Sequence, residues 1–428
     1  MPATFTISPD FRKLWVGQTI SHFGSWLGAL GLLAILHLHA TPAQMGLLET
    51  LRMAPVLLVG LIAGVWVDRL RRRPLLMAAD LLRAGLLVLV ALAAFGGWLR
   101  MTHLYVVGFL AGGLTVLFNI AYRSYVPGLV SRARLVEANS KLGATESLAE
   151  IASPGLGGLL VQFIGAPLTV AIDALSFLLS ALFIRRIQMP EQIDPERADS
   201  KQVDNDKIET NVETDEVEAA TVWREIRDGL HWVWRNPTLR ALAGSAAMRN
   251  FFGGFYAALY ALYGIQDVGL SPATLGVIIG AGGIGGLGGT LLVNRAMLRF
   301  GVGRSLIGAL LIQSAIGFLT PLAAGRPLAV AIAFMLIPQL FGDLFGAIYF
   351  IISGSLLQTT APARALGRVN ASFEFITGGI GALGILSGGL LGSAVGMSGA
   401  LLVAVLGIMC STLWIYFSPI RRMKTLEV

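Results

Sequence analysis

The sequence predicts an all-α membrane protein in which twelve transmembrane helices form two pseudo-symmetric halves of six. Composition is the first reason, because 55% of the 428 residues are hydrophobic, 13% are charged and the mean hydropathy is +0.72. Soluble domains carry about 25% charged residues. The second reason is a series of long apolar runs, and the third is a repeat that relates the two halves of the chain.

Twelve apolar runs are long enough to cross the hydrocarbon layer of a membrane, which takes about 20 helical residues. They cover residues 15–39, 45–67, 74–98, 103–122, 141–164, 167–187, 239–264, 271–294, 304–323, 327–357, 368–392 and 397–417. The tenth run is longer than one crossing needs, so we expect this helix to tilt or to break near Pro338.

The two groups of six runs share residues at a constant offset of 231 positions. Three matches have this offset: Asn139 with Asn370, 157–160 (GGLL) with 388–391, and Gly165 with Gly396. Since the matches cover the start, body and end of the fifth and eleventh runs, they indicate a duplicated six-helix unit. We therefore expect an N-terminal half at 1–187, a linker at 188–238 and a C-terminal half at 239–428.

The predicted linker consists of two different parts. Residues 188–218 carry 11 acidic and 3 basic residues with few aliphatic side chains, a composition that does not fold alone. Apolar residues then share one face of a helix: Trp223, Ile226, Leu230, Val233 and Trp234. This pattern indicates an amphipathic helix on the membrane surface, and a docking site for a partner is the alternative.

Lysine and arginine are distributed unevenly between the two sides of the membrane. The six loops on one side contain only Arg100 and Arg326, and three arginines lie within runs at Arg52, Arg83 and Arg249. The remaining 27 of the 32 basic residues lie on the termini and the other five loops. Because cytoplasmic loops accumulate Lys and Arg, we expect both termini to be cytoplasmic. The net charge of +7 then reflects orientation and not binding to nucleic acid.

The most densely charged stretch inside the apolar region connects the second and third runs. It has the spacing Gly64-x-x-x-Asp68-Arg69-x-x-Arg72-Arg73. The simplest interpretation is an arginine anchor on the cytoplasmic side. Asp68 permits a further role, because a carboxylate at the membrane edge can meet the positive N-terminal end of another helix in one conformation only.

This spacing resembles the loop 2–3 signature of the major facilitator superfamily of transporters, although Arg71 stands where the family usually has glycine. Other stretches are similar to the exporter branch that contains enterobactin exporters and macrolide-type efflux permeases: FRKLWVGQTIS, VPGLVSRARLVEANS, IDALSFLLSAL, GLHWVWRNPTLRAL and RALGRVNASF. The resemblance implies alternating access in a bacterial inner membrane. It also implies a conformational gate in which Asp68 contacts the start of the eleventh helix.

Ionisable residues within membrane spans cost free energy, so each is a functional candidate. Arg249 in the seventh run and Asp343 in the tenth lie near the middle of the bilayer. In the superfamily fold helices 1, 4, 7 and 10 line the central cavity, so the resemblance implies that these two residues face each other across the substrate path. We hypothesise an ion pair that responds to substrate or proton, with a static packing pair as the alternative.

Further carboxylates lie in other runs. Glu150 lies deep in the fifth run and could carry a proton, whereas Glu374, two turns into the eleventh, could be a gate residue or a second proton site. We expect Asp173 to be structural and Glu49 to pair with Arg52, three residues away. Three aromatic residues of the seventh and tenth runs are candidates for substrate contact: Tyr256, Tyr260 and Phe345.

The sequence contains no nucleotide-binding loop of the type Gly-x-x-x-x-Gly-Lys-Ser/Thr, no histidines at metal-ligand spacing and no grouping of a nucleophile with a base. We therefore expect a protein that is not an enzyme and that uses neither a cofactor nor a metal. The predicted function is export of a small amphiphilic compound (a drug, macrolide or siderophore) by proton antiport. We expect the transporter to be a monomer. An uptake permease, a lipid flippase and a transporter-like receptor are the alternatives.

Overall fold

The structure is a computed structural model that describes residues 8–189, 227, 229–362 and 365–425. Its regular structure is helical throughout these residues. Six helices form the N-terminal half: α1 Pro9–His37, α2 Pro42–Arg69, α3 Arg72–Phe95, α4 Met101–Leu129, α5 Leu135–Ile164 and α6 Ala166–Arg185. Six form the C-terminal half: α7 Pro237–Gln266, α8 Pro272–Phe300, α9 Val302–Gly317, α10 Leu328–Thr360, α11 Leu366–Val395 and α12 Met397–Tyr416.

These helices confirm the predicted fold. Ten of them are apolar and long enough to span a membrane, with α9 counted together with the turn that continues it to Leu322. The other two, α2 and α7, have 28 and 30 residues. Residues 190–226 of the predicted linker, which include all the acidic side chains of its first part together with Trp223 and Ile226, lie outside the described residues. In the amphipathic segment that follows, Val233 is buried whereas Trp234 is 70% exposed.

Two helices are interrupted near the middle of the bundle. α10 changes to a π-helical turn at Pro338–Gly342, which confirms the predicted break, because a proline ring and its missing N–H disturb the α-helical ladder. α1 is divided into Pro9–Ser25 and Ala29–His37. Gly28 between them has φ +67°, a left-handed conformation that favours glycine. The sequence analysis predicted α1 as one continuous helix.

The 231-residue offset found in the sequence also relates the helix ends. Adding 231 to the bounds of α5 gives 366–395, and the same addition to α6 gives 397–416, which are the bounds of α11 and α12. Gly165 and Gly396 join these pairs with φ 86° and 85°. The repeat therefore has the same backbone conformation in both copies.

The basic end of the bundle is the end at which α2 meets α3, and the opposite end carries Arg100 and Arg326. At the opposite end one hydrophobic core includes residues of both halves, such as Leu33 and Leu259. At the basic end the core around Leu14 and the core around Leu306 are separate clusters. The halves therefore pack together at the opposite end and diverge toward the basic end.

Two pseudo-symmetric contacts close the opposite end. Gly158 of α5 packs against the carbonyl of Pro272, and Gly389 of α11 packs against the carbonyl of Pro42. A side chain would not fit at either glycine, so the backbones approach closely, as small residues allow in membrane helices.

Matching hydrogen bonds accompany these two contacts. The amide of Ala43 donates to Ser393 Oγ at 2.9 Å, and the amide of Ala273 donates to Gln162 Oε1 at 3.3 Å. Because Gln162 and Ser393 are 231 positions apart, each half binds the start of the second helix of the other half in the same way.

We expect Gly389→Leu to open this end of the bundle, because even the Cβ of a new side chain would lie 2.6 Å from the Pro42 carbonyl oxygen. Spin labels introduced by Trp98→Cys and Leu322→Cys, in a chain with Cys410→Ser, report the separation of the halves. Electron–electron double resonance should show a longer distance in the leucine variant.

The matched control is Gly85→Leu, since no described atom lies within 4 Å of a Cβ at this exposed helical position. It should leave the distance distribution as in the parent chain. A Gly389→Leu distribution that also matched the parent would contradict the closing role of this contact.

Candidate functional site

A cavity of about 920 Å³ lies between the two halves. Its wall is formed by parts of α1, α2, α5, α7, α8 and α10, and glycine, alanine and larger apolar side chains make up most of it. Five ionisable side chains also line it: Glu49, Arg52, Glu150, Arg249 and Asp343. An apolar wall with a few polar groups is typical of sites for small organic ligands.

Both helix interruptions contribute to the cavity wall. The break in α1 places Trp26, Leu27 and Gly28 there, and the π-helical turn of α10 places Gln339 and Asp343 there. Gln339 Nε2 donates to Asp343 Oδ2 at 2.6 Å. The wider turn thus presents an amide and a carboxylate together to the same space.

Arg249 and Asp343, the predicted pair, line the same cavity but make different contacts. The ion pairs of the described residues, with a limit of 4 Å, do not include these two. The Arg249 guanidinium lies 5.3 Å from the ring centre of Tyr349, and its Nε has no hydrogen-bond partner among the described residues. In this conformation a cation and a carboxylate are therefore both available to a ligand.

The other carboxylates of the cavity differ in their pairing. Arg52 Nη1 donates to both carboxylate oxygens of Glu49 at 3.0 Å, which confirms the predicted pair. Glu150 is exposed in the cavity wall. Glu374 is exposed on α11 near the basic end and is not part of the cavity wall.

The three aromatic candidates do not line the cavity. Tyr256 and Tyr260 are partly buried against the shared core, and the Tyr260 hydroxyl donates to the Met335 carbonyl at 3.4 Å. Phe345 packs against the C-terminal core at the basic end. The helical phase of α7 and the π-helical turn of α10 direct these rings between helices, and Phe350 lines the cavity instead.

The predicted gate motif lies where α2 ends at Arg69 and α3 begins at Arg72. The side chains of Asp68 and Arg69 lie outside the described residues, as does Gly64 apart from its helical backbone. Arg73 Nη2 donates to the carbonyl of Arg185 at 2.6 Å. This bond ties the start of α3 to the end of α6.

A buried ion pair inside the N-terminal half was missed by the sequence analysis. Asp80 and Arg83 of α3 form a salt bridge, with side-chain exposures of 0% and 6%. The Arg83 guanidinium lies between two rings, 4.5 Å from the centre of Phe118 and 4.4 Å from that of Phe177. The available signal was the spacing of three residues between opposite charges, which puts them on one helix face.

These features define a multi-pass helical membrane transporter with a central site for small molecules. A family model described as the Major Facilitator Superfamily matches residues 14–342. The chain therefore belongs to the Major Facilitator Superfamily and is a transporter, not an enzyme.

Several relatives and structures resemble this chain. The multidrug efflux pump Tap of Mycolicibacterium fortuitum is 29% identical over 385 residues, which are 87% of this chain and 86% of Tap. Macrolide efflux protein A of Streptococcus pyogenes is 24% identical over 182 residues, 42% of this chain and 45% of that protein. A bacterial homologue of the iron transporter ferroportin, solved in an inward-facing state, has a TM-score of 0.72 at 17% identity and covers 95% of this chain and 98% of its own. The structural likeness concerns the fold alone.

We expect Asp80→Asn to destabilise the N-terminal half, because it leaves the Arg83 guanidinium buried without a counter-charge. Breaking a buried pair from one side typically costs about 3–5 kcal/mol. The thermal unfolding temperature in detergent should fall clearly below that of the parent chain.

The double variant Asp80→Asn/Arg83→Met should recover much of this loss, since no isolated charge is left in the core. If the single variant unfolded at the temperature of the parent chain, the pair would not be a stability element of the N-terminal half.

Proposed function

We propose that this transporter exports small amphiphilic compounds that carry a positive charge, and that proton antiport drives the export. The observation that carries the proposal is the cavity: it has a largely apolar wall with three carboxylates and two arginines. The wall therefore has a net charge of one negative unit when these groups are ionised, which favours a cationic ligand over an anionic one. The names of the two efflux relatives support export.

The proposed orientation has both termini, and so the basic end, on the cytoplasmic side of a bacterial inner membrane, in agreement with the distribution of Lys and Arg. With this orientation the described conformation is open to the cytoplasm and closed outside. Substrate would enter from the cytoplasm or the inner leaflet, and separation of the Gly158 and Gly389 contacts would release it outside.

Two elements are proposed to couple the site to this change. Arg249 and Asp343, which are not paired in the described conformation, would form their ion pair in another state of the transport cycle, and substrate or a proton would separate them; a static packing pair remains the alternative. Asp68 would contact the N-terminal end of α11 when the basic end is closed. A partly buried charge at a helix end contributes about 1–2 kcal/mol, which shifts a two-state population several-fold.

The test is accumulation in an efflux-deficient bacterium that expresses the protein. Dyes, macrolides and a catecholate siderophore are compared with and without a protonophore. We expect lower accumulation of cationic amphiphiles such as ethidium and the macrolides, and we expect the protonophore to reverse it. The anionic siderophore is the comparison within the panel. Unchanged accumulation across the panel would argue for an uptake, lipid or signalling role.

Asp68→Asn should lower export several-fold without reducing the amount of protein in the membrane, because the gate contact loses its charge. Arg71→Gly, which restores the residue usual for the family, is the matched control in the same loop and should keep export. Efflux rates equal to the parent chain in Asp68→Asn would argue against the gate.

A further inference from the structure

A second set of ionisable residues lies in the N-terminal half, partly in the cavity wall and partly behind it. Three carboxylates and two guanidinium groups belong to it: Glu49, Asp80, Asp173, Arg52 and Arg83. Of their helices, α3 and α6 pack against each other, whereas α2 packs against α4, which in turn contacts α3. The guanidinium groups of both Arg52 and Arg83 act electrostatically on Asp173.

Each guanidinium already has a partner. Arg52 is bound to Glu49 at 3.0 Å, and Arg83 forms the buried pair with Asp80. Arg83 is also held between the two phenylalanine rings and donates from Nη1 to Thr115 Oγ1 at 3.4 Å. This arginine is therefore fixed in place, whereas Arg52 lies at the cavity wall with 40% of its side chain exposed.

Asp173 is the carboxylate without an ion pair among the described residues. Its side chain is buried, with 8% of the residue exposed. Ser176 Oγ lies 3.4 Å from Oδ1, and a Cβ on Gly24 of α1 would lie 2.7 Å from the same oxygen. His22 of α1 interacts electrostatically with Arg83 of this set, and Glu146 of α5 interacts in turn with His22.

When all five groups are ionised, this set carries one negative charge in excess. A carboxylate that is buried in a membrane protein without a counter-charge is strongly disfavoured and takes up a proton instead. Glu49 and Asp80 have bound arginines, so the proton belongs on Asp173.

We propose that Asp173 is the binding site of the exchanged proton and that Arg52 controls its release. This inference rests on the proposed proton antiport and names its carrier. The substrate then contacts both halves, at Arg249 and Asp343 in the C-terminal half and at Glu49 in the N-terminal half, whereas the proton binds in the N-terminal half alone, at Asp173. The two sites are linked through the Glu49–Arg52 pair, which lines the cavity.

The release step is an exchange of ion-pair partners. A cationic group of the substrate binds Glu49 and so frees the Arg52 guanidinium, which then turns to Asp173. The aliphatic part of the Arg52 side chain stays packed against Gly108, where an added Cβ would lie 2.9 Å from Arg52 Cγ. The O–H bond of Asp173 then breaks, its proton passes to water in the cavity, and the carboxylate pairs with Arg52. One positive charge enters the site and one leaves, so the net charge is unchanged.

The experiment measures protons released by purified protein when ethidium binds, with a pH indicator in weakly buffered detergent and fluorescence polarisation for ethidium itself. The parent chain should release about one proton per bound ethidium. Asp173→Asn should still bind ethidium but release less than about one fifth of that amount. Arg52→Gln should also bind ethidium without release, because nothing then draws the proton from Asp173.

Two control variants test whether the released proton comes from Asp173. Asp267→Asn removes an exposed carboxylate at the end of α7 and should release as the parent chain does. Asp343→Asn should weaken ethidium binding but keep the release per bound ethidium. If Asp173→Asn does not fold, Asp173→Glu, which keeps the carboxylate, and Arg52→Gln take its place.

Two outcomes overturn the inference in distinguishable ways. If the parent chain binds no ethidium or releases no proton, the proposed antiport fails, and this inference fails with it. If the parent chain releases protons and Asp173→Asn does so equally, or if Asp343→Asn abolishes the release per bound ethidium, the antiport stands and Asp173 is not its carrier.

Discussion

The close backbone contact between the halves at one end of the bundle is the interaction on which the rest of this structure depends. Inside a membrane there is little hydrophobic force between helices, so association relies on van der Waals contact of small residues. Gly158 and Gly389 supply this contact in the two repeats. Because these contacts hold the halves together at this end and the described cores of the basic end are separate, the space between the halves becomes the cavity.

The two halves use charge differently. In the N-terminal half Arg83 is enclosed by a carboxylate and two aromatic rings, an arrangement that fixes a cation in a buried position. In the C-terminal half Arg249 and Asp343 face the cavity with partners that are weaker than an ion pair. A fixed charge can set the electrostatic potential of a region, whereas a weakly bound charge can change its partner when a ligand binds.

Much of the architecture could be predicted from the sequence, because apolar length and the 231-residue offset report helix number and symmetry directly. Pro338 predicted the break in α10, because proline has no N–H to donate to the helical ladder. The break in α1 gave no such signal, since Trp26, Leu27 and Gly28 continue an apolar run and glycine is common throughout this chain.

The site was less predictable for reasons of geometry. That Arg249 and Asp343 line one cavity followed from their depth and the family resemblance, but the direction of Tyr256 and Tyr260 depends on the rotation of α7, which composition does not reveal. The role of Asp80 was not predicted, because Asp80 and Arg83 lie in one helix and together contribute no net charge to the run.

The spacing of Asp80 and Arg83 also bears on how the protein enters the membrane. Both residues lie in α3, and each alone would raise the free energy of inserting this helix by roughly 3 kcal/mol. Because they are three residues apart, they can bond to each other before any later helix has been made. The helix can then enter the membrane without net charge and form a hairpin with α4. The aromatic rings of Phe118 and Phe177 can close around the guanidinium once α4 and α6 have been inserted.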